Sequence, residues 1–146
     1  MNKAGFTIQN VLYEAFDQMH CMINGVKMTF FNYPFEIEHS QSINNIMPMP
    51  GLLDLAAMKA FALGGRGKWK DYVDLYFLIK NHFSIQEIEK RTRKIFQSGF
   101  NEKLFREQLS YFEDIDFSEE IDFIDDPILK KTIEKYLTEQ ALSPFS

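Results

Sequence analysis

Short apolar runs of strand length fill the first third of the chain, and longer helix-patterned segments follow. Phe6 to Tyr13 and Gln18 to Ile23 are rich in aromatic and aliphatic residues and have the length of strands. Asn24-Gly25 then supplies a hairpin signal, because both residues tolerate the positive φ of a type I′ turn. Val26 to Tyr33 reads as the return strand, with Val26, Met28 and Phe30 on one face, and Pro34 ends it for want of a backbone donor. The pattern predicts three antiparallel strands. His39 to Met49 is a polar, proline-punctuated connection, with a short strand expected near Ile43 to Met47.

From Gly51 onward the chain reads as helix. Gly51 to Leu63 has helix-forming composition, with Asp54 in the first turn where it complements the helix dipole, and Gly64-Gly65 should stop it. Lys68 to Lys80 resumes, and Val73, Leu75, Phe77, Leu78 and Ile79 leave it apolar nearly all round, the mark of a buried helix. Ser84 and Glu87 form a capping-box pattern at the head of a further helix. The Lys90, Arg91, Arg93 and Lys94 cluster on it reads as a solvated face. Asn101 to Leu109 predicts a short helix, and Tyr111 to Asp126, alternating acids with aromatics, an irregular surface segment. Pro127 to Leu142 predicts a last amphipathic helix through Ile128, Leu129, Ile133 and Leu137, starting after an Asp-Asp cap with proline at its first position. Strands first and helices after define an α+β chain. We expect a single domain over residues 1–146, strand-rich over 1–49 and helical over 50–146.

Composition changes this picture little. The 146 residues are 45% hydrophobic and 25% charged, which suits a globular domain and excludes disorder. Fifteen phenylalanines predict a bulky interior. The net charge of −5 leaves no overall electrostatic footprint for nucleic acid. Its distribution is uneven, however: Lys59 to Lys70 contains only basic ionised groups, and Glu113 to Asp126 only acidic ones. A local basic site on an acidic protein is therefore allowed. Cys21 is the lone cysteine, which excludes an intramolecular disulfide, and on a predicted strand it reads as inert core. His20, His39 and His82 fall in three separate segments without zinc-ligand spacing, so no metal-ligating residues are expected. No apolar run approaches the roughly 20 residues that span a bilayer, and Met1 to Phe6 lacks the apolar core of a signal peptide. No membrane association and a cytoplasmic location are the expectations.

Candidate chemistry concentrates between Lys59 and Leu78, where Lys59, Arg66, Lys68, Lys70, Asp71 and Asp74 interrupt an apolar run. Charges in such a setting are costly unless they pair with each other or with a ligand. Asp71 and Asp74, three apart, share a face of the second helix, and an antiparallel helix pair brings that face back toward Lys59. Lys59 and Arg66 suit the phosphates of a nucleotide, with a carboxylate to orient the lysine or activate a hydroxyl. The same residues equally make an ion-pair network that pins two helices together, and spacing leaves both readings open.

Wider motifs point further. Leu53 to Leu63, followed by Arg66-Gly67, Lys70-Asp71 and Val73 to Leu78, resembles a signature of the AbiEii/AbiGii-type nucleotidyltransferase toxins of bacterial type IV toxin–antitoxin and abortive-infection systems. Gly25 to Phe31 with Tyr33-Pro34 resembles the family's hairpin strand, and Leu109 to Asp114 its Tyr-Phe-acidic-Asp segment. The resemblance implies an incomplete nucleotidyltransferase-like fold, with antiparallel strands followed by a helical bundle. It implies catalytic roles for Lys59, Asp71 and Asp74, and nucleotide phosphates held by Lys59, Arg66 and Lys70. Mg²⁺ and an NTP are the cofactor and substrate that it implies, with tRNA as acceptor in some members and an antitoxin as partner. One part of the pattern is missing. The family's glycine-serine motif and its strand-borne Asp-x-Asp or Asp-x-Glu have no counterpart here, Ala4-Gly5-Phe6 resembles the join just after that half, and Thr29 stands where some relatives carry an acid. The expectation is a C-terminal portion, inactive alone. It is either truncated or completed by a separate N-terminal partner. The alternative is a non-catalytic module that binds an antitoxin or RNA, and homo-oligomerisation through an exposed strand edge is a further expectation.

Overall fold

The expected type I′ turn forms at Asn24 and Gly25, whose φ values are 48° and 81°. It joins β2 (Gln18–Ile23) to β3 (Val26–Phe31), and β1 (Ile8–Glu14) pairs antiparallel on the other side of β2. The computed structural model of the chain describes Gly5 and residues 8–65 and 67–144. Phe6 and Thr7, expected to open the first strand, lie outside the described residues. The β2–β3 register runs from Ile23 opposite Val26 to Gln18 opposite Phe31 without a break, whereas β1 slips against β2 between Ile8 and Asn10 and again between Val11 and Tyr13. Cys21 is buried, as an inert strand cysteine should be.

The single short strand expected near Ile43 to Met47 is instead a second hairpin, of β4 (Gln41–Ile43) and β5 (Met47–Met49). Its turn falls on the expected strand centre because Asn44 and Asn45 both adopt left-handed φ, of 51° and 55°, which asparagine tolerates better than other side-chain-bearing residues. Five α-helices follow among the described residues: α1 (Leu52–Leu63), α2 (Trp69–Asn81), α3 (Ile85–Phe96), α4 (Glu102–Leu109) and α5 (Lys130–Ala141). Small residues Ala56, Ala57 and Ala60 are buried on α1, which packs against α2, α3 and α4. Leu63, Tyr72, Leu75, Tyr76, Ile85, Ile88, Phe105, Leu109, Ile133 and Leu137 form the centre of the helical core. The capping box at α3 is complete, with the Glu87 N–H donating to Ser84 Oγ at 3.2 Å and the Ser84 N–H to Glu87 Oε2 at 2.8 Å.

Two helix expectations are corrected. α5 begins at Lys130 rather than Pro127, with Leu129 as an extended N-cap that makes no side-chain capping bond. The stretch before it stays out of helix, so Ile128 packs on the core while Leu129 is exposed. Arg91 is not a solvated charge. Its guanidinium grips the buried Asp54, with Nη2 to Oδ2 at 2.9 Å, and reaches Glu38 at 3.1 Å. Asp54 therefore joins α1 to α3 besides facing the helix dipole.

The chain divides into two compact units, Met1–Glu36 and Ile37–Ser146. The first holds the three-stranded sheet. The second holds the β4–β5 hairpin and all five α-helices.

Candidate functional site

Gly64 and Gly65 end α1, with the Gly65 N–H donating to the Ala62 carbonyl at 3.0 Å, and the chain reverses into α2. This reversal sets the last two turns of α1 against the first two turns of α2. Lys59 lies 2.8 Å from Asp71 Oδ1 and 2.7 Å from Asp74 Oδ2 through its Nζ. The three residues named as catalytic from sequence are thus brought together, by the helix pairing that their spacing suggested. The two carboxylates differ in setting: the Asp71 side chain is fully buried, and that of Asp74 is 48% exposed.

Burial opposes the Lys59 charge, but hydrogen bonds and charge from Asp71 and Asp74 outweigh it and hold the ammonium above its ordinary pKa. At neutral pH Lys59 is a cation. It suits anion binding and cannot serve as a general base. One cation faces two carboxylates, which leaves a third N–H of the ammonium for a phosphate oxygen, and the exposed Asp74 is the carboxylate able to turn outward. Asp71 faces the same ammonium from the protein interior.

The remaining members of the predicted nucleotide-binding set fall elsewhere. Arg66 lies outside the described residues. Lys70 pairs with Glu119 Oε2 while Lys68 pairs with Glu119 Oε1, so one carboxylate bridges two lysines at the head of α2. The lysines hold the Glu119 carboxyl far below the ordinary carboxylate range, at about 2. Sequence reasoning missed Lys68 and Glu119 as a pair, although the basic run at 59–70 and the acidic run at 113–126 were the signal for it. Backbone bonds hold the acidic segment there: the Trp69 N–H donates to the Asp116 carbonyl at 3.0 Å, and the Asp116 N–H to that of Gly67 at 2.7 Å.

Tyr72 ties the same helix to the Tyr111–Asp114 segment. Its hydroxyl lies 3.1 Å from the Gln108 carbonyl oxygen and 3.2 Å from that of Tyr111, and accepts from Gln108 Nε2 at 3.1 Å. A cavity of about 460 Å³ opens at the end of α1 between Phe61, Phe100, Leu104 and Phe105. No titratable side chain is among its described lining residues, so it offers shape without chemistry.

A strand-first α+β chain with a lysine clasped by two carboxylates of the next helix has the makings of the nucleotidyltransferase class that its motifs resemble. The sequence model of the nucleotidyl transferase AbiEii toxin of type IV toxin–antitoxin systems matches residues 25–143, and the chain belongs to this family. It is also similar to an uncharacterized protein of Aquifex aeolicus (strain VF5), 33% identical over 106 residues, which are 70% of this chain and 51% of the relative. The chain spans about half the length of that curated relative. No solved structure matches.

The family implies NTP and Mg²⁺. Among the described residues no three His, Cys, Asp or Glu side chains converge to hold a metal ion, and both carboxylates beside Lys59 are engaged with it. A divalent cation does not fit this cluster as it is arranged. Among the described residues no helix is long and apolar enough to cross a membrane.

Proposed function

We propose that this chain carries the phosphate-binding lysine of an AbiEii-type nucleotidyl transfer site and is inactive by itself. The observation that carries the proposal is the Lys59 ammonium, kept charged and fixed at 2.8 and 2.7 Å from Asp71 and Asp74. Nucleotidyl transfer depends largely on positioning and on neutralising phosphate charge, and a preorganised lysine at a helix junction supplies part of both. Lys59 binds a nucleotide phosphate as Asp74 turns outward, and Asp71 holds the ammonium in line. The Mg²⁺ that the family implies would need carboxylates other than Asp71 and Asp74, which are engaged with Lys59. The acceptor would be an RNA, a tRNA or another molecule, as the resemblance implies, and an antitoxin is the protein partner that the type IV family suggests.

Calorimetric titration with Mg²⁺-NTP tests this reading on the wild-type chain and on Lys59→Ala. Binding is expected in the wild type and absent from the variant. Equal binding by both, with the variant folded, overturns the assignment.

A second reading, a non-catalytic module for an antitoxin or RNA, is favoured by the sheet. Val11, Leu12 and Tyr13 on β1, and Val26, Met28, Phe30 and Phe31 on β3, are exposed apolar residues on strands that have β2 as their single paired neighbour among the described residues. Such edges invite pairing with another chain. Light scattering separates the readings: a stable monomer that binds no NTP but captures the antitoxin supports the module.

A further inference from the structure

Glu119 sits on its two lysines as a phosphate would. Each of its carboxylate oxygens takes its own ammonium, Oε1 that of Lys68 and Oε2 that of Lys70, both at the head of α2. Aromatic rings and a third cation, Lys130, which lies 3.5 Å from Glu134 Oε1, flank this pair, with the Trp69 ring also stacked on that of Tyr72. The Trp69 ring lies 5.6 Å from that of Phe117, and Lys130 Nζ is 4.1 Å from the Phe117 centroid and 5.7 Å from that of Trp69. Lysines interleaved with ring faces are the means by which proteins hold single-stranded nucleic acid, cations tracking the phosphates and rings receiving the bases.

We infer that Lys68, Lys70 and Lys130, beside Trp69 and Phe117, form a phosphate site for a single-stranded polynucleotide, and that Glu119 is its built-in competitor. The free polyphosphate of a nucleotide is the second source of the same chemistry. The inference rests on the proposed function only in choosing a phosphate-bearing ligand. It involves residues other than Lys59, Asp71 and Asp74.

Opening the site needs little movement. The backbone bonds between Trp69 and Asp116, and between Asp116 and Gly67, fix the acidic segment, and the Ser118 N–H closes a local turn by donating to Asp116 Oδ1 at 2.8 Å. The Glu119 side chain itself is 41% exposed and can rotate into solvent while that backbone stays in place. Its departure leaves two adjacent ammonium groups facing outward, a charge arrangement that favours an anion over water. The overall charge of −5 then acts as a filter, weakening non-specific contact with polyanions elsewhere on the surface.

The test is fluorescence anisotropy of a short labelled single-stranded oligoribonucleotide titrated with the full chain, the Glu119→Gln variant, and a Lys68→Ala/Lys70→Ala double variant. Unlabelled oligonucleotide and sodium tripolyphosphate serve as competitors. Glu119→Gln should bind roughly three- to tenfold more tightly, the scale of releasing two partly exposed ion pairs. The double variant should lose most of the affinity, and its log–log salt slope should shrink by about 1.4, the single-strand value for two phosphate contacts. Displacement by oligonucleotide alone assigns the site to a polynucleotide. Displacement by tripolyphosphate as well assigns it to phosphate from either source. Glu119→Gln binding no more tightly than wild type overturns the inference, as does undiminished binding by the double variant. Circular dichroism confirms that the variants fold, and Glu119→Gln decides the matter if the double variant does not. The Mg²⁺-NTP titration reads Lys59 and the oligonucleotide titration reads Lys68, Lys70 and Glu119, so failure here and failure there are read separately.

Discussion

Two aspartates three positions apart do different work because one is sealed in the core and the other is not. Asp71 faces Lys59 from a fully buried side chain, while Asp74 reaches the same ammonium from the surface. Asp71→Ala should therefore cost about 1–3 kcal/mol, since the partly buried Lys59 ammonium loses the partner that meets it from the interior. Asp74→Ala should cost less than about 1 kcal/mol, the range of exposed ion pairs. Urea denaturation of the two variants checks the order, and equal losses refute it. Lys59 adds a pH dependence. Its folded pKa is raised, so its contribution to stability is full below its unfolded value of about 10.4 and is lost as pH climbs through the folded one. Wild type should lose more stability than Lys59→Met across that alkaline window in thermal melts. Spacing on a helix was enough to place Asp71 and Asp74 on one face. It held no information on which of them would be buried, because burial depends on what α1 and its neighbours place over that face.

Among the elements, the acidic segment after α4 has the most to reveal. It forms no helix or strand of its own, yet its backbone bridges to Lys68 and its Glu119 clamps two lysines. Because the Glu119 pKa is depressed from 4.5 to about 2, the clamp contributes stability above the unfolded value and loses it as pH falls through the folded one. Wild type should melt above Glu119→Gln near neutral pH, and that difference should shrink below about pH 4.5 and disappear only as pH falls below about 2. Trp69, the lone tryptophan, lies at the clamp and reports its state by fluorescence. A difference in melting temperature that persists unchanged into acid would mean that Glu119 acts through packing and not charge. Elements with local chemical signals were the legible ones. The Ser84–Glu87 box and the Asn24-Gly25 turn each satisfy their own backbone, and both stand where sequence put them. The start of α5 was not legible, since no cap fixes it and the pull of the core on Ile128 decides it.

Over the whole molecule, the helical unit is locked by a buried pair. Arg106 on α4 meets Glu89 on α3, Nη2 to Oε2 at 2.7 Å, and also donates to the carbonyl of Ser143 beyond α5. Three chain segments converge on one guanidinium. Glu89→Ala should destabilise the protein by about 3–5 kcal/mol, whereas replacing both partners by apolar residues of similar volume should cost far less. Chemical denaturation of the single and double variants decides between them. Nothing in the sequence marked this pair, because Glu89 and Arg106 lie on separate helices and each looks like an ordinary surface charge. The same blindness hid the Arg91–Asp54 tie and the Lys68–Glu119–Lys70 bridge. Sequence alone determined the α+β class, the hairpin at Asn24-Gly25, the helix pair joined by glycines and the shared helix face of Asp71 and Asp74. Each follows from interactions within a few residues or from the periodicity of one helix. Tertiary structure alone decided which charges are buried, which carboxylate meets which cation and where Glu119 comes to rest, because these depend on surfaces that meet only when distant segments pack.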